Sequence, residues 1–283
     1  MKISAVVSDV DGTLVTDDKT LTARSRAAVA ELHAAGVAFT VVSSRPPRGL
    51  RDLVRTLRIT APMAGFNGGV IAGPDLSVLA AHPLAPDVAR RTVALLDERN
   101  VEVWVFAGED WLLRRADETH VGLEKRTVRF EPRVVADFEP FLDSAAKIVG
   151  VSADFEHLAR CEREIRPALA NEATVARSQP YYLDITHPFA NKGCALTRIA
   201  ALLCVPLAEI AVVGDGANDV AMFERAGLSI AMGNASADVR QAADCVTASN
   251  GKDGFAVAVE RFVLGGPRSG ATPATTTQAT GRT

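Results

Sequence analysis

The sequence predicts an α/β fold in which a parallel sheet is interrupted by an inserted α+β segment. Three observations predict it. Short apolar runs alternate with stretches of helical period near the N-terminus. From about Pro83 to His187 the texture changes to denser charge, as in Arg90-Arg91, Asp97-Glu98-Arg99 and Arg114-Arg115. The apolar runs then return from Ile210 onward. Alternation of strand and helix at this rhythm implies parallel pairing through right-handed crossovers.

Taken in order, Ile3 to Ser8 is an apolar run suited to a strand buried on both faces. Gly12 marks a turn, and Thr22 is placed to cap a helix whose apolar positions include Ala28, Val29, Leu32 and Ala35. Gly36 ends that helix. Val37 to Val42 is a second buried strand, Gly49 to Leu57 a helix, and Pro62 to Phe66 a third, shorter strand. Within the inserted segment, Val101 to Phe106 and Lys147 to Val151 are strands, while Asp87 to Arg99 and Asp154 to Leu169 are helices. Beyond it come a strand at Ile210 to Val213, a helix at Asn218 to Arg225 and a strand at Leu228 to Ala231. A short helix around Val239 to Ala243, a strand at Cys245 to Thr247 and a helix at Phe255 to Leu264 complete the pattern. Residues 266–283 are rich in Gly, Pro, Ser, Thr and Ala, and their composition predicts a disordered tail.

The chain has 283 residues, enough for one large domain or two modest ones. Its net charge of -3 argues against a nucleic-acid binder that works through a basic surface, and an aromatic content of 5% disfavours a single-strand stacking platform. Cys161, Cys194, Cys204 and Cys245 form no C-x-x-C pair, so they predict buried small side chains, not a zinc ribbon or redox motif. The first apolar run is too short for a signal-peptide core, and no run approaches the roughly 20 apolar residues of a membrane helix. A cytoplasmic protein is the expectation, with no membrane partner. No histidine stands at ligand spacing to another.

Chemistry concentrates at two acidic strings. Asp9-Val10-Asp11-Gly12-Thr13 follows the first buried strand, and Gly214-Asp215-Gly216-Ala217-Asn218-Asp219 follows a later one. An isolated D-x-D or G-D-G is commonly a turn. Two such strings at the ends of apolar strands are a different matter, because open parallel sheets bind ligands at the carboxyl ends of their strands. Carboxylates crowded into one crevice repel each other, and a hard cation such as Mg²⁺ resolves the conflict.

These strings resemble the signature of the haloacid dehalogenase superfamily of aspartyl phosphotransferases. Asp9 to Thr13 looks like its first motif, D-x-D-G-T; Ser43 like the Ser/Thr of the second; Lys192, in Asn191-Lys192-Gly193, like the third-motif lysine; and Gly214 to Asp219 like the fourth. Asn67-Gly68-Gly69 and Ala231-Met232-Gly233-Asn234-Ala235 further match the Cof-type subclass with a type IIB cap. The resemblance spans roughly residues 1 to 265. It implies a Rossmann-like, doubly wound core over residues 1–82 and 188–265 and a cap over 83–187, joined near His82-Pro83 and His187-Pro188. One departure stands out: the subclass usually has T-G-R at the second motif, where this chain has Ser43-Ser44-Arg45.

The resemblance implies a Mg²⁺-dependent phosphatase of small phosphorylated metabolites, sugar phosphates in particular. Asp9 would be the nucleophile, forming an aspartyl-phosphate, and Asp11 the general acid and base. Mg²⁺ would be held by the Asp9 side chain, the Asp11 carbonyl and Asp215. Lys192 would stabilise nucleophile and phosphoryl oxygens; Ser43 and the Ser44 backbone N–H would donate to phosphate. Asn218 and Asp219 would complete the metal shell or brace Lys192, and Arg45 and Asn67 are candidate contacts to phosphate or leaving group. Trp104, Trp111, Tyr181, Tyr182 and Asp184 are available to the cap for specificity, although core packing is the commoner fate of the aromatics. A sugar-phosphate mutase and a non-catalytic phosphoryl-binding module are the alternative readings. Oligomeric state is not legible in the sequence.

Overall fold

The computed structural model describes residues 2–115 and 118–265. The expected disordered tail, 266–283, lies outside the described residues. In chain order the elements are β1 (Ala5–Ser8), α1 (Ala23–Ala34), β2 (Ala38–Val41), α2 (Arg51–Leu57), β3 (Met63–Gly65), β4 (Val70–Ala72) and β5 (Val78–Ala81). There follow α3 (Pro86–Asp97), β6 (Glu102–Ala107), β7 (Asp110–Leu113), α4 (Glu118–Val128), β8 (Arg133–Val134), β9 (Ala145–Val151), α5 (Phe155–Ala168), β10 (Thr174–Gln179) and β11 (Tyr182–Thr186). The chain closes with α6 (Lys192–Leu203), β12 (Ile210–Gly214), α7 (Val220–Phe223), β13 (Leu228–Ala231), α8 (Ala237–Gln241), β14 (Cys245–Val246) and α9 (Gly254–Ala258).

Five strands form an all-parallel sheet in the order β14-β13-β12-β1-β2. Successive side chains of β1 feed opposite faces. Val6 packs with Val29, Leu32, Phe39 and Phe255, whereas Ala5 and Val7 pack with Leu196, Ile199 and Met222. Both faces are therefore covered by helices, which explains why the strands read as continuous apolar runs. Thr22 caps α1 as its position predicts: its side chain accepts from the Ser25 N–H, and its hydroxyl donates to Asp253 at 2.7 Å.

A second sheet of six strands, in the order β10-β11-β9-β6-β7-β8, is antiparallel except for the β7–β8 pair. One of its faces packs an apolar cluster with α3 and α5, including Val93, Leu96, Val105, Ile148, Leu158 and Ile185. The other carries Trp104, Phe106, Trp111 and Val149, packed with Val121 and Val128 of α4 and with Phe66 and Val70 from outside the sheet. Trp104, Trp111 and Tyr182 are buried there, so packing claims them.

Some sequence expectations need correction. The segment Pro62 to Phe66 is not a regular strand of the parallel sheet. It touches that sheet through a single bridge, Val42 to Ala64, and pairs antiparallel with β4 in a small three-stranded sheet, β3-β4-β5. Pro62 cannot donate to a ladder, and the backbone turns left-handed at Phe66, so only three residues remain extended. The helix expected over Asn218 to Arg225 shrinks to Val220–Phe223, with a tighter turn, Ala217–Asp219, before it. The last helix begins at Gly254 and ends in a π-helical turn, Val259–Val263. Of the cysteines only Cys161 is buried; Cys204 is exposed at the left-handed end of α6. Among the described residues no helix is long and apolar enough to cross a membrane.

The Thr22 cap gives a direct test of local stability. Thr22→Ala removes the acceptor for the Ser25 N–H and the donor to Asp253, and should lower stability by about 1 kcal/mol, read as an earlier urea midpoint at unchanged slope.

Candidate active site

Strand register brings the two acidic strings together. Ser8 lies opposite Val213 in the parallel pair β1–β12, so Asp9 and Asp215 leave neighbouring strands at the same edge of the sheet. The Asp9 N–H still bonds the Val213 carbonyl, at 2.9 Å. One carboxylate oxygen from each of Asp9, Asp215 and Asp219 lies within 4.8 Å of the others.

Glycine permits this approach. Gly12 has φ of +85°, and a Cβ built there would stand 2.3 Å from Asp215 Oδ2. A Cβ on Gly214 would stand 2.4 Å from the Asp219 side chain. The loops then lock: Thr13 donates to Asp215 Oδ1 at 2.7 Å, and the Asn234 amide bridges the Gly12 carbonyl at 2.9 Å and Asp215 Oδ2 at 3.3 Å.

Lys192 is the first residue of α6, after Asn191 caps the helix by accepting the Cys194 N–H at 2.8 Å. Its side chain is buried, and Nζ donates to Asp9 Oδ1 and Asp219 Oδ1, each at 2.6 Å. The other oxygen of Asp219 accepts the N–H groups of Asp215 and Gly216. Asp219 braces Lys192 and the loop while also offering an oxygen to the carboxylate cluster. Asn218, by contrast, is exposed, and its amide reaches Asn67 Oδ1 at 3.0 Å.

The electrostatics follow from the count of partners. Three carboxylates share one ammonium. Burial pushes Asp9 up to about 8; Asp219 and Asp215 add to the push and Lys192 opposes it. Burial likewise raises Asp215, with Asp219 adding and Thr13 opposing. Burial works against the Lys192 charge, but Asp219 and Asp9 outweigh it and hold the ammonium firmly protonated. Negative charge thus exceeds the positive charge available, and the all-oxygen donor set suits a hard divalent cation.

Asp11 has other partners. Arg45 is buried and grips it bidentately, Nε to Oδ2 and a terminal nitrogen to Oδ1, both at 2.7 Å, while Lys19 Nζ lies 2.8 Å from Oδ1. Burial alone would raise the Asp11 pKa, but Arg45 and Lys19 outweigh it and hold it at about 2. The expectation that Arg45 faces phosphate or leaving group is therefore modified: its guanidinium is bound to Asp11. Ser43 is buried in the turn beyond β2. Its N–H bonds the Ala64 carbonyl, its hydroxyl accepts the Arg45 N–H, and its carbonyl accepts the Asn67 N–H at 2.8 Å. Ser44 is half-buried in the same turn, outside the left-handed region, so a side chain in place of the usual glycine meets no backbone strain. Thr13, Lys19 and Asn234 were not singled out from sequence as site residues. Asn234 sat within a motif that could have flagged it, whereas Lys19 carried no signal.

Residues 6–259 match the family model for haloacid dehalogenase-like hydrolases. The chain belongs to that family. A Bacillus subtilis relative named 5-amino-6-(5-phospho-D-ribitylamino)uracil phosphatase is 25% identical, over 93% of this chain and 96% of its own length. A crystal structure of a haloacid dehalogenase-like hydrolase from Bacteroides thetaiotaomicron superposes with a TM-score of 0.85 at 27% identity, covering 92% of this chain and 99% of that one. A structure described as a subclass IIB sugar phosphatase shares the fold at a TM-score of 0.78 and 23% identity, over 92% of this chain and 98% of that one.

Two expectations follow for this family member. Gly12→Ala should cut hydrolytic kcat/KM by about a hundred-fold or more at unchanged circular dichroism, because Asp215 must retreat from its place. The Asp11–Arg45 pair should also register in acid unfolding. A lowered folded-state pKa contributes stability that is present above the unfolded value of 3.8 and lost as pH falls toward about 2. The stability gap between wild type and Asp11→Asn, about 2 kcal/mol at neutral pH, should therefore shrink between pH ~4 and ~2 in urea titrations.

Proposed function

We propose that this hydrolase is a Mg²⁺-dependent phosphatase of small phosphate monoesters, sugar phosphates among them, that works through an aspartyl-phosphate on Asp9. The observation that carries the reading is the division of labour between two aspartates two residues apart. Asp9 lies in the buried carboxylate cluster against Lys192, and Asp11 stands beside it in a separate ion pair with Arg45. A cation beside the carboxylate cluster would hold Asp9 ionised as the nucleophile, and Asp11 carries a proton once its pairing with Arg45 and Lys19 is loosened.

In this reading Asp9 attacks phosphorus, and a bond from its carboxylate oxygen to phosphorus forms as the ester oxygen–phosphorus bond breaks. Asp11, protonated as substrate displaces its cations, gives its proton to the departing alkoxide. It then takes a proton from the water that attacks the aspartyl-phosphate, releasing inorganic phosphate and restoring Asp9. Lys192 holds the Asp9 oxygen in line and shares its charge with the phosphoryl oxygens. Ser43 and the Ser44 N–H donate to phosphate, and Asn67 and Asn218 close the far side. The Asp9 and Asp215 side chains and the Asp11 carbonyl would hold Mg²⁺, which supplies charge neutralisation at the phosphoryl group.

Residues 83–187 act as a cap over residues 1–82 and 188–265. In support, the two connections run side by side: the rings of His82 and His187 stack with centroids 5.4 Å apart. The metabolite substrate reaches Asp9 between cap and core, and the enzyme works in the cytoplasm.

Hydrolysis of p-nitrophenyl phosphate with Mg²⁺ tests the reading. Activity should vanish with chelator and return with added Mg²⁺, and Asp9→Asn should lower kcat by more than about a thousand-fold while the melting curve stays cooperative. Substantial activity in Asp9→Asn would contradict the nucleophile. Conversion of a hexose phosphate into a positional isomer without phosphate release would identify a mutase instead.

A further inference from the structure

The face of the six-stranded sheet turned away from α3 and α5 holds charges that the chemistry at Asp9 does not use. Lys147 on β9 and Asp184 on β11 share this face, because their neighbours Ile148, Leu183 and Ile185 point into the opposite cluster. Lys147 Nζ lies 2.7 Å from Asp184 Oδ2, and each side chain is only 11% exposed. The second oxygen, Asp184 Oδ1, is buried without a hydrogen-bond partner among the described residues. A buried carboxylate oxygen left unpaired is costly. Around it the same face is filled by Trp104, Phe106 and Val149, so apolar side chains pack there readily.

The pair shares the face of the sheet that packs against Phe66 and Val70. Lys147 stands directly opposite Phe106 in the β6–β9 ladder, and the Phe106 ring lies 5.5 Å from Phe66, the residue before Asn67. Glu124, half-buried on α4, completes the group. Burial raises its pKa, Lys147 opposes the rise, and Asp184 and Asp11 both add to it. Glu124 shares a face of α4 with Val121 and Val128, which pack on this side of the sheet. The Tyr182 hydroxyl, beside Glu124, donates to the His120 carbonyl at 3.4 Å.

We propose that Glu124, Lys147 and Asp184 form the recognition site for the leaving group, and that it accepts a neutral or cationic polyol and rejects an alcohol bearing a second anion. Asp184 Oδ1 and the Glu124 carboxylate accept from hydroxyl or ammonium donors, and Lys147 donates to a hydroxyl oxygen. Two carboxylates against one ammonium leave this wall with one negative charge in excess; Asp11 adds none, because Arg45 and Lys19 pair with it. A second phosphate or a carboxylate on the substrate would meet like charge there. The inference rests on the phosphatase reading and narrows its substrate class.

Steady-state kinetics on p-nitrophenyl phosphate, a hexitol monophosphate, a hexosamine monophosphate and a hexose bisphosphate test it. The wild type should turn over the hexitol and hexosamine esters with kcat/KM about a hundred-fold or more above the bisphosphate. Asp184→Asn and Glu124→Gln should each lower the ratio of hexitol to aryl ester about ten- to hundred-fold and raise the relative use of the bisphosphate. If Asp184→Asn fails to fold, Glu124→Gln decides the same ratio from a half-buried position. A bisphosphate preferred by the wild type, or a variant that slows every ester by one common factor, would overturn this inference alone. Absence of hydrolysis of every ester, p-nitrophenyl phosphate included, would overturn the phosphatase reading and this inference with it.

Discussion

A single buried ammonium holds the site together. Lys192 Nζ sits 2.6 Å from both Asp9 and Asp219 with its side chain almost wholly out of solvent. The pairing ties the end of β1 to the start of α6 and, through Asp219, to the backbone of Asp215 and Gly216. Removing one partner from such an arrangement strands a charge in a poorly solvated place, which is far more damaging than losing a surface ion pair. Three segments distant in sequence therefore have one permitted mutual position. The excess of carboxylate over ammonium that remains suits a divalent cation.

Around this anchor the backbone is held in uncommon conformations. Phe66, Asn67 and Gly68 take positive φ in succession, and non-glycine residues adopt that region at a cost. Two hydrogen bonds hold them there: the Phe66 N–H to the Arg45 carbonyl and the Asn67 N–H to the Ser43 carbonyl. The same turn sends the Phe66 ring outward against Phe106 and the Asn67 amide inward toward Asn218. Strain in one short segment thus orients two side chains differently, one to the second sheet and one toward Asn218.

Much of this was legible in the sequence because of a geometric rule: parallel strands present their carboxyl ends at one edge, so acids that end two apolar runs must meet if the strands are neighbours. Asp9 and Asp215 obey it. Lys192 was legible only through its place in a motif, since nothing local distinguishes it from a surface lysine. The partnership of Asp11 with Arg45 escaped notice although both residues were singled out, because a salt bridge between them depends on the turn at Ser43 and on no spacing. The strands β4, β5, β7, β8, β10 and β11 are not named by the sequence reading. All but β11 are short or carry exposed polar residues, and antiparallel pairing, which tolerates one wet face, leaves a weaker apolar signature; β11 is buried throughout but interrupted by Asp184.

The pairing of β1 with β12 also bears on how the chain reaches this state. Ala5 lies opposite Ile210, so the central ladder of the parallel sheet closes a loop of about two hundred residues, a slow event on loop-closure grounds. The six-stranded sheet, by contrast, is contained between Glu102 and Thr186 and needs nothing synthesised later. During synthesis it can assemble while β1 still waits, with β2 as its only available neighbour. A nascent chain therefore exposes one edge of a strand that is fully buried in the finished fold until β12 emerges, and that interval is when chaperone protection matters most.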